Sequence, residues 1–124
     1  MPVEACIPVI PSADLNKTLR FWVEGLGFST SREMYENSRL IGCMLNKGNM
    51  WFWLNRRAGN PVKPPDSNGI RLYWAPSDIN EIREHLKNLG FNVSELEDRD
   101  YGQTEFFLTD HDGYSHCFGV PTQK

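Results

Sequence analysis

TDHDGYSHCFG, residues 109–119, gathers two of the chain's three histidines, two aspartates and one of its three cysteines into one short stretch. Such side chains can bind a divalent cation or move protons, so their spacing decides what they can do. His111 and His116 stand five residues apart, whereas two strand side chains on one face are separated by an even number. His116 should therefore point away from the face that holds Cys117. The simpler reading is a polar hairpin turn followed by an ordinary strand, with a site built from Asp110, His111, Asp112 and His116 as its alternative. Cys117 could act as a nucleophile only if a neighbouring base activated it, and adjacent His116 points the other way. A buried, inert thiol is expected. His85, between Glu84 and Leu86, reads as a helix-surface residue. The chain shows no Ser-His-Asp order, phosphate-cradling glycine loop or nucleotide fingerprint.

The elements that must position this stretch come from an internal repeat. DLNKTLRFWVEGLGFSTS from Asp14 returns as DINEIREHLKNLGFNVSE from Asp78, offset by 64 residues at the start and 63 at the end. Leu15, Leu19, Trp22, Val23 and Leu26 share one helical stripe, as do Ile79, Ile82, Leu86 and Leu89. Ser12 or Asp14 and Ser77 or Asp78 supply the N-caps, and Gly27 and Gly90 fit the left-handed turn that ends a helix. CIPVI and IRLYW precede the two helices as strands. FSTSREMY, RLIGCML and NMWFWLN follow the first helix; FNVSELE, TEFFLTD and YSHCFG follow the second. Each half thus reads β-α-β-β-β, an α+β chain. The 124 residues form one domain with module one at about 1–55, a proline-rich linker at 56–69 and module two at about 70–124. One helix covers only one face of a four-stranded sheet, so two modules must pair, within the chain or across a homodimer.

Composition narrows the partners. A formal net charge of −3 argues against nucleic acid, which needs clustered Lys and Arg. The opening MPVEACIPVIPSAD has no basic region followed by an apolar run, and no apolar segment approaches the roughly 20 residues that span a bilayer. A cytoplasmic protein with reduced, separated Cys6, Cys43 and Cys117 is expected, without a membrane partner.

ADLNKTLRFWVEGLGF, LNKGNMWFWL and YGQTEFFLTDHDGYSHCFG together resemble the glyoxalase, bleomycin resistance protein and extradiol dioxygenase superfamily, also called vicinal oxygen chelate proteins, and are nearest to the bleomycin resistance proteins. The resemblance covers nearly the whole chain. His111 stands where the family's Asp-Pro-Asp-Gly has proline. The resemblance implies two β-α-β-β-β modules forming paired curved mixed sheets around a central cleft. In its metal-dependent enzymes, ligands come from the first and last strand of each module. Those places fall here on Ile7, Trp53, Arg71 and Cys117, or on Phe52 in place of Trp53 if that strand slips by one. Isoleucine, tryptophan and a guanidinium are poor cation ligands, so neither a metal nor any other cofactor is expected, nor a catalytic residue.

The nonenzymatic members sequester a cationic drug in an aromatic cleft at a dimer interface, and this chain is rich in strand aromatics. Trp51, Trp53, Trp74, Tyr101 and Phe106, with Arg71 and Cys117, are the expected ligand-binding residues. Arg71 would welcome an anion, or pair with Glu105, whereas the acidic run SELEDRD at 94–100 would attract cations or simply be solvated. The expected function is sequestration of an aromatic or cationic small molecule, such as an antibiotic, by a homodimer. The alternatives are a divergent metal-dependent lyase, isomerase or dioxygenase, and a ligand-sensing module.

Overall fold

The computed structural model describes residues 2–57 and 71–123, so the 56–69 linker lies outside the described residues except for Arg56 and Arg57. The chain divides into two compact units, Met1–Pro61 and Val62–Lys124. In the first, β1 (Val9–Ser12), α1 (Leu15–Leu19), β2 (Ser29–Glu36), β3 (Arg39–Lys47) and β4 (Met50–Arg56) follow in order. The second holds β5 (Arg71–Trp74), α2 (Ile79–Asn88), β6 (Glu97–Asp98), β7 (Gln103–Thr109) and β8 (Ser115–Pro121). The sheets run β1-β4-β3-β2 and β5-β8-β7-β6, each with one parallel pair and antiparallel neighbours. The fold is α+β, with two open mixed sheets.

Both helices begin as their sequences dictate. Asp14 accepts a hydrogen bond from the Lys17 amide, and Asp78 one from the Glu81 amide. The first helix then departs from regularity: Arg20–Gly25 form a π-helical turn, with the Leu26 amide donating to the Phe21 carbonyl and the Phe28 amide to the Trp22 carbonyl. The wider turn accompanies burial of both Phe21 and Trp22, and Gly27 at φ +84° ends it.

In the first core, Trp22, Phe28 and Phe52 meet with ring centroids 5.1–5.8 Å apart. In the second, Phe106 stacks on Phe118 at 4.6 Å, and both are buried, as is Leu86 of α2. Each such side chain contributes about 1.5–3 kcal/mol by leaving water.

Two strand expectations change: the first strand is not CIPVI but Val9–Ser12, which leaves Ile7 ahead of it, and the strand after α2 is largely missing. FNVSELE is irregular until Glu97, and its attachment runs through one serine: Ser94 donates its amide to the Phe107 carbonyl, and its Oγ accepts the Phe107 amide at 2.7 Å. A side chain that satisfies the neighbouring backbone competes with ladder pairing.

Candidate functional site

Strand alternation gives each sheet a helix side and an open side within its unit. In the first, Phe52 and Leu54 are buried on the helix side, which puts Trp51 and Trp53 on the other face. Val9 pairs with Trp53 across the parallel β1–β4 ladder, and Tyr73 pairs with Cys117 across β5–β8. The second pair repeats the first at an offset of 64 residues, Val9 to Tyr73 and Trp53 to Cys117, so Trp53, not Phe52, occupies the place of Cys117 in the repeat.

Trp53 lies across Gly42. A Cβ added there would stand 2.8 Å from the indole Cζ2, so a side chain would lift the ring off the sheet. Its Nε1 donates to Asn55 Oδ1 at 3.3 Å, fixing the in-plane direction. Trp51, 44% exposed, shares this face and borders a groove of about 550 Å³ with Ile7, Met44, Arg32 and Cys6. The groove is apolar at Ile7 and Met44 and carries opposite charges at Glu4 and Arg32, the latter with a left-handed backbone (φ +50°) that accompanies the register break in β2.

The open face of the second sheet carries different chemistry. Arg71, Tyr73, Glu105, Phe107 and Cys117 fall on it by alternation, while Leu72, Trp74, Phe106, His116 and Phe118 fall on the opposite face. Glu105 is only 1% exposed and lies at the centre of a polar cluster. The Tyr101 hydroxyl donates to its Oε1 at 2.5 Å and the Tyr73 hydroxyl to its Oε2 at 2.7 Å. Arg99 Nε stands 3.4 Å from the same carboxylate, while Arg99 Nη1 reaches Glu97 at 3.2 Å. Burial opposes ionisation of Glu105, but the bonds from Tyr101 and Tyr73 and the charge of Arg99 outweigh it and hold the carboxyl below its ordinary range. The same bond from Tyr101 raises that phenol's pKa. Burial, then the bond to Glu105, raises that of Tyr73.

Gly119 makes this cluster possible. A Cβ at that position would meet the Tyr73 hydroxyl at 2.0 Å and Glu105 Cγ at 3.2 Å, so Tyr73 reaches the carboxylate only across a bare backbone. Cys117 is buried beside it. Burial first, and neighbouring Glu105 second, push its thiol up to about 11, which keeps it protonated and unreactive at neutral pH.

The expected site residues are therefore distributed over distinct surfaces. Trp51 and Trp53 share the open face of the first sheet; Arg71 and Cys117 share that of the second, where Tyr101 joins them through Glu105. Trp74 stacks on His116 and Phe118, and Phe106 is wholly buried, both on the face opposite Cys117. Sequence reasoning left Tyr73 and Glu105 out of the site. The signal was present in parity: both alternate onto the face of Cys117. It is Arg99, not Arg71, that pairs with Glu105.

The histidine-rich stretch folds as a capped hairpin. Asp110 Oδ1 accepts the Asp112 and Tyr114 amides at 3.0 Å, and Asp110 Oδ2 bonds buried His116 Nε2 at 2.8 Å. The Trp74 indole donates to His116 Nδ1, so Nε2 carries the proton that Asp110 receives. His111 turns to Asp112 instead, at 3.3 Å. Among the described residues no three His, Cys, Asp or Glu side chains converge as metal ligands. The positions of the family's metal ligands do not fit a cation either: Ile7 offers no donor atom, Trp53 offers only an N–H, Arg71 is itself cationic, and the Cys117 thiol is held protonated.

Known structures share this fold. A glyoxalase family protein from Enterococcus faecalis is 24% identical, with 94% of this chain and 97% of that one covered and a TM-score of 0.79. A bleomycin-binding protein complexed with bleomycin is 20% identical over 97% of this chain and 100% of its own, at a TM-score of 0.70. A genomically encoded fosfomycin resistance protein from Listeria monocytogenes is 15% identical over 98% and 96%, at 0.77. No curated protein matches the sequence significantly. At these identities the likeness is one of fold, but residues 7–118 also match the sequence model of one family, and the chain belongs to the Glyoxalase/Bleomycin resistance protein/Dioxygenase superfamily.

Proposed function

We propose that this protein binds and sequesters a small aromatic or cationic molecule, such as an antibiotic, without a metal and without transforming it. The observation that carries the reading is Trp53, whose indole lies close against Gly42 beside half-exposed Trp51 on a sheet face free of its helix. Indoles held in this way offer stacking area with little rotamer entropy left to lose. The bleomycin-binding and fosfomycin resistance proteins of similar fold support a ligand-binding or resistance role. Among the described residues no helix is long and apolar enough to cross a membrane. Action as a cytoplasmic homodimer belongs to the same proposal. Light scattering at micromolar concentration should give twice the chain mass; a monomer would remove that part.

Ligand titration should quench tryptophan fluorescence. Trp53→Ala should weaken binding by roughly 1–3 kcal/mol, equivalent to about a five- to 150-fold loss of affinity, while the fold persists. Lost stability with unchanged affinity per folded molecule would show that the ring serves packing alone. Elemental analysis should give far less than one divalent metal per chain. A stoichiometric metal lost on mutating His111 or His116 would move the protein to the metal-dependent enzymes.

A further inference from the structure

Glu105 is a buried carboxylate that the family's metal positions do not use, on a face that no helix of its unit covers. Its two oxygens are each claimed by a phenol, yet the rings that carry those hydroxyls remain open: Tyr73 is 54% exposed and Tyr101 63%. An exposed tyrosine ordinarily points its hydroxyl to water and its ring to protein. Here the hydroxyls are drawn inward and the ring surfaces are left to solvent. Gly119 supplies the space this inversion needs.

We infer that Tyr73, Tyr101 and Glu105 form a subsite for an organic cation, the charged end of a small ligand. The inference rests on the reading that the open faces bind a small molecule, and it names the chemistry that one of them selects. Phenols whose protons are donated to an anion carry more negative charge on oxygen and ring, which strengthens their attraction for a cation. The local charge points the same way: Arg99 is shared between Glu97 and Glu105, so one guanidinium faces two carboxylates. Arg99 itself places a positive charge against Glu105, and Arg71 is the second one on this face. The ladder places it beside Ser115, four residues along β8 from Gly119 and so about 13 Å from the Glu105 row. At that separation its repulsion is largely screened at physiological salt, where the Debye length is about 8 Å.

The test uses two matched probes, benzyltrimethylammonium and its uncharged carbon isostere, titrated into the full-length protein by NMR. The wild type should prefer the cation by roughly 2- to 30-fold, the range of a cation–π contact. The Tyr73 and Tyr101 ring resonances should shift. Glu105→Gln should abolish the preference. Since a buried substitution can unfold the sheet, Tyr101→Phe, at an exposed ring, provides the second variant: it keeps the ring, removes the bond to Glu105 and should reduce the preference at least twofold in a folded protein. Equal binding of both probes with Trp53-dependent quenching would overturn this inference and leave the sequestration reading intact. Binding of neither probe would overturn both. Retention of the preference by folded Glu105→Gln or Tyr101→Phe would assign the cation to another place.

Discussion

The two open faces start from the same ladder position and arrive at opposite chemistries. Gly42 pairs with Asn55 on the first sheet, and Glu105 pairs with Gly119 on the second. Each cross-strand pair contains one glycine, and each glycine has an aromatic ring laid over it, but the glycine sits on β3 in one unit and on β8 in the other. On the first face the bare position admits the Trp53 indole, whose polar atom is satisfied by neighbouring Asn55. On the second it admits the Tyr73 hydroxyl, and the partner position supplies a carboxylate to meet it. A duplicated sheet can therefore carry a stacking platform and a charged clamp through exchange of a few side chains, with its hydrogen-bonded ladder kept in register.

The sharpest way to break this comparison is to remove the charge. Glu105→Ala leaves Arg99 beside a partly buried void and two phenols without their acceptor. It should cost about 2–4 kcal/mol in urea unfolding, less than the full penalty for a broken buried pair because Arg99 is one-third exposed and can rehydrate. A cost below about 1 kcal/mol would mean that the cluster contributes little to the second unit's stability. Gly119→Ala should come next, at roughly 1–3 kcal/mol. Its Cβ must push the Tyr73 hydroxyl off the carboxylate, and the exposed Tyr73 ring has room to swing away. Chemical shifts of Tyr73 should then approach those of a free phenol.

Acid separates the faces by a smaller margin. The folded-state pKa of Glu105 lies below its ordinary value, so the stabilisation it provides is fully present above the unfolded carboxyl pKa of about 4.3 and is lost as pH falls from there through the folded value. Wild-type stability should fall through this window more steeply than that of Glu105→Gln. Parallel curves would show that the carboxylate is not held low by its phenols.

Much of this was legible in the repeat. The position of both helix starts, the β-α-β-β-β order and the opposed directions of His116 and Cys117 follow from periodicity, because period and capping are local properties of the chain; the structure chose Asp14 over Ser12 and Asp78 over Ser77 as caps. The choice between Trp53 and Phe52 was not: a slip of one residue reverses a strand's faces, and only the pairing of Val9 with Trp53 fixes it. The Glu105 cluster was harder still. Tyr73, Arg99, Tyr101 and Gly119 are scattered in sequence, and the role of Gly119 is visible only as the space beneath a hydroxyl from another strand. The π-helical turn after Leu19 was not legible either: it buries Phe21 beside Trp22 and leaves Val23, a member of the expected stripe, exposed.

Gly42→Ala should have the smallest effect on stability and the most informative one on function. The new methyl would meet Trp53 Cζ2 at 2.8 Å, Cε2 at 3.3 Å and the Leu54 carbonyl oxygen at 3.3 Å. The backbone contact is tight but tolerable, whereas the indole must tilt, giving up its seat on the sheet and its bond to Asn55. Replacing a strand glycine recovers about 0.5–1 kcal/mol of unfolded-chain entropy, which offsets much of the lost packing. Net stability should thus change by less than about 1 kcal/mol. A flat ligand that stacks on Trp53 should nevertheless bind several-fold more weakly, since its platform has been displaced from its place against Gly42. Gly119→Ala should reverse this balance, with a larger loss of stability and little change for an uncharged flat ligand. If both alanine variants lost stability equally and left binding alone, the two glycines would be serving packing in the same way, and the functional difference between the faces would collapse.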